Sequence, residues 1–166
     1  KNTLFSGTVK ENLLWGNKEA SDEEIKWACK QACVDEFIEN FPEGYDTYLE
    51  QGGVNVSGGQ KQRLSIARAI AKDPEIYIFD DSFSALDYKT DAVLRSELKK
   101  YTKDATSLIV AQRIGTIMNA DKIIVLDNGE SVGVGTHEEL LKSCEVYKQI
   151  ALSQLSKEEL DNAKTK

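Results

Sequence analysis

Three short apolar runs in the second half of the chain constrain its fold more than any other feature. They are IYIF (76–79), SLIVA (107–111) and KIIVLD (122–127), and all three are rich in β-forming residues. A helical stretch at 88–102 separates the first two, and a shorter one at about 113–120 separates the next two. Apolar strands of this kind are typical of a parallel sheet that is covered on both faces. Their alternation with helices predicts an α/β fold.

Capping signals mark the starts of other helices. Three capping boxes are present: Ser21 with Glu24, Ser57 with Gln60, and Thr136 with Glu139. They predict a helix over 21–41, a second from Ser57 to about Lys72, and a third that opens with 136–141. The segment 128–135 suits a hairpin turn and an edge strand, and the polar residues 156–166 are expected to fray.

Composition limits the class of partner and site. The chain has 166 residues and a net charge of -7, which argues against a nucleic-acid backbone as the main partner. An odd number of cysteines and a single histidine do not make a zinc site, and free thiols fit a reducing cytosol. No apolar run approaches the roughly 20 residues needed to cross a bilayer.

Two places in the chain carry residues suited to phosphate chemistry. Gly58 and Gly59 lie at a helix start, where free amides and the helix dipole favour an anion, although a capped helix after a flexible loop would look the same. Asp80 follows an apolar strand, at the sheet edge where ligands gather in open α/β folds. The Asp80 carboxylate could hold Mg²⁺, or Asp80 could be an ordinary surface residue in a turn.

Five segments, taken together, resemble the ATP-binding cassette (ABC) family. VSGGQ (56–60) resembles the signature motif, IYIFDD (76–81) the Walker B strand and SALD (84–87) the D-loop. LFSGTVKENLLWG (4–16) resembles the exporter segment after the Q-loop, and GTHEELL (135–141) resembles the family's C-terminal region.

The resemblance implies the fold and its division. It implies part of a P-loop NTPase-like, three-layer α/β core with a helical signature subdomain. Residues 1–73 would form the signature subdomain with the post-Q-loop segment, 74–155 the C-terminal part of the ATPase core, and 156–166 a polar tail.

The resemblance also implies roles for individual residues. Asp80 would bind Mg²⁺, and Asp81 and Gln112 would occupy the two catalytic positions. The residues implied in nucleotide binding are Ser57, Gly58, Gly59 and Gln60 of the signature and Ser84, Ala85, Leu86 and Asp87 of the D-loop. In the family, two nucleotide-binding domains enclose ATP head to tail, so this signature would contact the γ-phosphate of ATP held by a partner.

Three departures from the family pattern change the expected activity. No G-x-x-x-x-G-K-[ST] loop occurs in the chain, and in the family it would lie upstream of Lys1. We therefore expect little ATP binding and no ATPase activity from residues 1–166 alone. Asp81 stands where the family usually has glutamate, and Gln112 where it has histidine. Each loss costs on the order of 10²- to 10⁴-fold in rate, so the chain's own site is predicted to hold ATP and seldom cleave it.

The function that these features favour is ATP-driven export. The chain would be an ATP-binding portion of one half of a heterodimeric ABC exporter, using ATP and Mg²⁺ at the cytoplasmic face of the membrane. Its partners would be a second nucleotide-binding domain and an exporter's transmembrane domain, with no nucleic acid. Two alternatives remain open: an ABC-type ATPase that acts on DNA, and an inactive interaction fragment.

Overall fold

A computed structural model describes residues 3–155 of the chain. They form two compact units, one up to Leu108 and the other from Ile109 onward. The elements of the first unit, in chain order, are β1 (Gly7–Thr8), α1 (Val9–Leu14), α2 (Asp22–Gln31), α3 (Asp35–Ile38), β2 (Tyr48–Leu49), α4 (Gly58–Ala71), β3 (Ile76–Asp80) and α5 (Tyr88–Tyr101). The boundary falls inside β4 (Thr106–Val110), and the second unit continues with α6 (Ile114–Ile117), β5 (Ile123–Asp127), β6 (Glu130–Gly135), α7 (His137–Ser143) and α8 (Glu145–Gln154).

The mixed helix and strand content confirms the predicted α/β class. The predicted division at residue 73 stays a prediction, and the tail at 156–166 lies outside the described residues. Within residues 3–155, no helix combines the length and the apolar character needed to span a bilayer.

All three predicted capping boxes are present. In each, the side chain of the cap residue accepts from the backbone of the third helical residue, whose own side chain accepts in return. A fourth box, Thr8 with Glu11, opens α1, and this helix was not predicted from the sequence. Helices α4 and α5 begin and end within one or two residues of the predicted bounds.

The single helix predicted over 21–41 is wrong, because the chain breaks after α2. Cys33 adopts a left-handed conformation with φ 53°. The Val34 amide donates to the Cys29 carbonyl at 2.8 Å, and the Cys33 amide donates to the Lys30 carbonyl at 3.1 Å. This is the Schellman helix end, which glycine usually occupies. A cysteine at this position does not give the stop signal that a glycine would give. Cys29 and Val34, the residues at the two apolar positions of this motif, are both buried.

Strand β3 is buried on one face only, although burial on both faces was expected. Tyr77 and Phe79 are buried, whereas Ile76 and Ile78 are 61% and 67% exposed. The strand pairs with β4, and the Thr106 amide donates to the Glu75 carbonyl where the two begin. Among the described residues of the first unit, no element covers the outward isoleucines, so this face of the strand is open.

The second unit is a hairpin packed on two helices. Strands β5 and β6 pair antiparallel, and Asn128 and Gly129 both take positive φ at the turn, as a type I′ hairpin requires. Its core is formed by Ile114, Ile123, Val125, Leu140, Cys144, Tyr147 and Ala151. A Cβ on Gly133 would lie 2.9 Å from Cys144 Sγ, so glycine permits this close packing.

Candidate functional site

The start of α4 is an open helix N-terminus. Ser57 is its N-cap, with extended backbone angles (φ -65°, ψ 160°), and Ser57 Oγ accepts from the Gln60 amide at 3.2 Å. That bond satisfies one of the amides that a helix start leaves without an intrahelical partner. The Gly58 and Gly59 amides remain for an incoming acceptor, and the Ser57 hydroxyl still has its proton to donate. Since Ser57 and Gly58 are exposed, an anion can reach these donors.

The segment 84–87 lies directly against this helix start. A Cβ on Gly58 would lie 3.4 Å from the Ala85 Cβ, and a Cβ on Gly59 would lie 3.3 Å from the Ala85 carbonyl oxygen. At the second distance, the Ala85 backbone would have to shift by a few tenths of an ångström to admit a Cβ. Glycine at position 59 therefore favours the close approach of the two backbones, independently of any ligand.

A buried glutamine that was not predicted from the sequence joins the two segments. Gln62 is 4% exposed. Its Nε2 donates to the Asp81 carbonyl at 3.3 Å and to Ser84 Oγ at 3.2 Å, and its Oε1 accepts from the Ala85 amide at 3.0 Å. One signal could have found it: Gln62 lies four residues before the buried Ile66, on the same face of the helix.

The two aspartates stand at the end of β3. Asp80 is its last residue and Asp81 follows, and both are exposed. Asp81 has a left-handed backbone, with φ 49°, a conformation that aspartate tolerates better than most residues do. Its carbonyl accepts a second bond from Ser84 Oγ at 3.1 Å. The backbone at Asp81 is thus fixed while its carboxylate faces solvent.

The last two residues of the D-loop have structural roles in this chain. Leu86 is buried. Asp87 is the N-cap of α5 and accepts from the Thr90 amide at 3.0 Å and from Thr90 Oγ1 at 2.7 Å. The bond from the Thr90 amide, followed by that from the Thr90 hydroxyl, lowers the pKa of Asp87. Asp87 therefore stays ionised, and its assignment to nucleotide binding remains a prediction.

Gln112 belongs to the second unit. It is exposed and lies in the loop between β4 and α6. Its carbonyl accepts from Gln154 Nε2 at 2.9 Å, while Gln154 Oε1 accepts from the Ile114 amide, also at 2.9 Å. Gln154 thus fixes the backbone of this loop, and Gln112 itself is exposed to solvent.

A shallow groove of about 400 Å³ is the second notable surface of the first unit. Phe5 and Trp15 line it, with ring centroids 4.8 Å apart, and they are 42% and 60% exposed. Arg68 lies below, 5.6 Å from the Phe5 centroid, and donates from Nη2 to the Thr3 carbonyl at 3.0 Å. Its Nη1 is buried and has no hydrogen-bond partner among the described residues. The groove therefore offers exposed aromatic surface beside the positive charge of Arg68.

The donor and acceptor types fit part of an ATP and Mg²⁺ site. The capped helix start and its glycines suit an anion, and an exposed carboxylate at a strand end suits Mg²⁺. Among residues 3–155, no cluster of three or more acidic, histidine or cysteine side chains could hold a metal. Asp80 would therefore bind Mg²⁺ only together with oxygens from phosphate, water or other residues.

Comparison with known proteins gives a consistent result. The family model described as "ABC transporter" matches residues 1–84. An uncharacterized ABC transporter ATP-binding protein of Bacillus subtilis, YfiB, is 51% identical over 93% of this chain and 27% of its own length. A protein of Staphylococcus aureus, named as a multidrug export ATP-binding/permease protein, is 49% identical over 90% of this chain and 26% of its own.

A solved structure agrees with these sequence matches. It is a bacterial Atm1-family ABC exporter with ATP bound, which is 35% identical, with a TM-score of 0.88 over 93% of this chain and 27% of that chain. This chain spans about a quarter of the length of each of these relatives. From the matched family model and the shared fold, the chain belongs to the ABC transporter family.

Proposed function

We propose that this chain supplies the signature half of an ATP site shared with a second nucleotide-binding domain of an ABC exporter. The observation that carries the proposal is the open start of α4, where Ser57, Gly58 and Gly59 present a hydroxyl and two amides to the outside. These donors suit the γ-phosphate of ATP bound by the partner, because they are neutral, fixed by the helix and reachable from solvent. ATP closes the pair, and its hydrolysis powers export.

The chain's own catalytic positions support an asymmetric pair. Asp81 is one methylene shorter than glutamate, and its backbone is fixed through its carbonyl, so its carboxylate reaches less far toward an attacking water. Gln112 can donate a hydrogen bond but carries no positive charge. We propose that the site formed by this chain's own aspartates retains ATP, while the site that uses its signature hydrolyses it.

The test is made on the full-length pair and replaces Ser57 with arginine. The larger, charged side chain fills the helix start, so ATP hydrolysis should fall to background. Asp81→Asn should leave hydrolysis nearly unchanged, since the site at Asp81 contributes little to turnover.

Ser21→Arg is the matched control for the lost cap. Ser21 caps α2 with the same reciprocal geometry, so both variants lose a cap worth about 1 kcal/mol and gain the same charge. Full hydrolysis in Ser57→Arg, or a large loss in Asp81→Asn, would contradict the proposal.

The groove at Phe5 and Trp15 fits the transmembrane partner. Relatives of this chain are named as combined ATP-binding and permease proteins, so an ATP-binding portion needs a surface that transmits force. The exposed rings offer apolar contact area. The Arg68 guanidinium also lines the groove, and its positive charge suits a carboxylate at the end of a partner helix. This contact would place the chain at the cytoplasmic face of the membrane.

Trp15→Ala separates this contact from ATP chemistry. In the full-length transporter reconstituted in vesicles, it should lower transport per ATP hydrolysed. Trp15→Phe, which keeps an aromatic ring against Phe5, should preserve coupling. Equal coupling in both variants and the wild type would exclude the groove as the transmembrane contact.

A further inference from the structure

Gln62 is the buried polar side chain that links the two functional segments of the first unit. Its amide offers two donor hydrogens and an acceptor oxygen. Both donors and the oxygen are directed to residues 81–85: the Asp81 carbonyl, the Ser84 hydroxyl and the Ala85 amide. A neutral amide is the side chain that can satisfy two acceptors and one donor at once.

The first turn of α4 and the segment 84–86 approach each other closely around these bonds. Ala85 lies at 3.3 to 3.4 Å from the positions that Cβ atoms on Gly58 and Gly59 would take, and Leu86 Cδ2 lies at 3.5 Å from the latter. The hydrogen bonds of Gln62 to residues 81–85 therefore connect α4 to this segment at a place where the two backbones lie close together. Packed contacts combined with satisfied buried hydrogen bonds transmit strain well.

We propose that Gln62 is a positioning residue that couples the two ATP sites of the pair. This inference rests on the proposed function, in which the start of α4 contacts the partner's ATP while Asp80 and Asp81 face the chain's own ATP. Gln62 ties the first location to the second within one chain. Occupancy at Asp80 and Asp81 thereby sets the position of the helix start that serves hydrolysis at the partner-assisted site.

The proposal predicts a specific thermodynamic coupling. In the full-length pair, Asp80→Asn weakens Mg²⁺ and ATP binding at the chain's own site. With Gln62 present, this change should lower hydrolysis at the partner-assisted site by about fivefold or more, the lower range for coupled sites. In a Gln62→Leu background, the same Asp80→Asn change should alter hydrolysis less than about twofold.

Asn12 provides the matched control. It is also a buried amide, 2% exposed, and makes three hydrogen bonds, but these go to Phe5 and Thr8. Asn12→Leu should lower the melting temperature as Gln62→Leu does. The fivefold effect of Asp80→Asn should persist in the Asn12→Leu background. If Gln62 had only a structural role, the Gln62→Leu and Asn12→Leu backgrounds would change this effect in the same way.

The outcomes separate this inference from the proposed function. If Asp80→Asn has the same effect with and without Gln62, or no effect in the wild-type pair, Gln62 does not couple the sites. If the wild-type pair hydrolyses no ATP, or Ser57→Arg leaves hydrolysis intact, the proposed function itself fails. Loss of coupling in both Gln62→Leu and Asn12→Leu would assign the effect to general destabilisation and overturn the role of Gln62.

Discussion

Restoring the usual catalytic residues should increase ATP hydrolysis at the chain's own ATP site. The change is Asp81→Glu, alone and together with Gln112→His. A correctly placed general base contributes at least about 10²-fold in rate, which corresponds to about 2.7 kcal/mol of barrier. Asp81→Glu should therefore raise hydrolysis at this site by about 10²-fold, and the double variant should raise it further.

The backbone at Asp81 predicts a cost that accompanies this gain. Its φ of 49° is left-handed, a conformation that costs an ordinary L-residue roughly 1–2 kcal/mol and aspartate less. We expect Asp81→Glu to lose about 1 kcal/mol of stability. In a domain of 150–250 residues, that loss lowers the melting temperature by roughly 2–4 °C.

The assay isolates this site by using Ser57→Arg as the background. That substitution silences the partner-assisted site, so phosphate release from the full-length pair then reports the chain's own site alone. Asp81→Asn combined with Ser57→Arg serves as the control, and its phosphate release should stay at the uncatalysed level. If neither Asp81→Glu nor the double variant raises phosphate release, residues 81 and 112 do not explain the asymmetry, and the reasoning is refuted.

Three further predictions concern Gly59, Asp87 and the buried His137. Gly59→Ala should slow hydrolysis in the full-length pair with Ser57 intact, because its Cβ would lie 3.3 Å from the Ala85 carbonyl; an unchanged rate would contradict this. Asp87→Ala should cost about 1 kcal/mol in chemical denaturation through the lost cap, whereas Asp87→Asn should keep stability, so an ATPase loss in Asp87→Asn would identify a ligand role. Burial, opposed in part by the charge of Glu138, lowers the pKa of His137 below its ordinary 6.5. Because the unfolded chain then binds the proton more readily than the folded chain, thermal stability should be full above pH 6.5 and be lost as the pH falls through the folded-state pKa. His137→Asn should flatten this dependence of the melting temperature on pH.

Local sequence signals predicted the elements whose determinants lie close together in the chain. The Ser57 cap and α4 were predictable because a serine, a glutamine three residues later and an apolar stripe are all short-range signals. The turn at 128–135 was predictable for the same reason. Helix α8 was not predicted, although Tyr147 and Ala151 recur at helical spacing and are buried.

Features that depend on distant partners were not predictable. The spacing to Ile66 places Gln62 on the buried face of the helix, but its hydrogen-bonding role depends on residues 19 to 23 positions away, which the local sequence does not indicate. The helix end at Cys33 lacks the usual glycine, and it is formed by the hydrogen bond from the Val34 amide to the Cys29 carbonyl. The open side of β3 could not be read from the apolar run IYIF, because such a run does not specify how many layers cover it.

That open side of β3 has a practical consequence for handling the chain. Ile76 and Ile78 stand in water although they belong to an apolar strand, and a hydrocarbon surface next to unpaired strand edges promotes self-association. Threonine at these positions would keep the β-preference of the strand and make the polypeptide more soluble on its own. Such replacements would suit preparative work with the isolated chain, whereas the native isoleucines belong in studies of the full-length transporter.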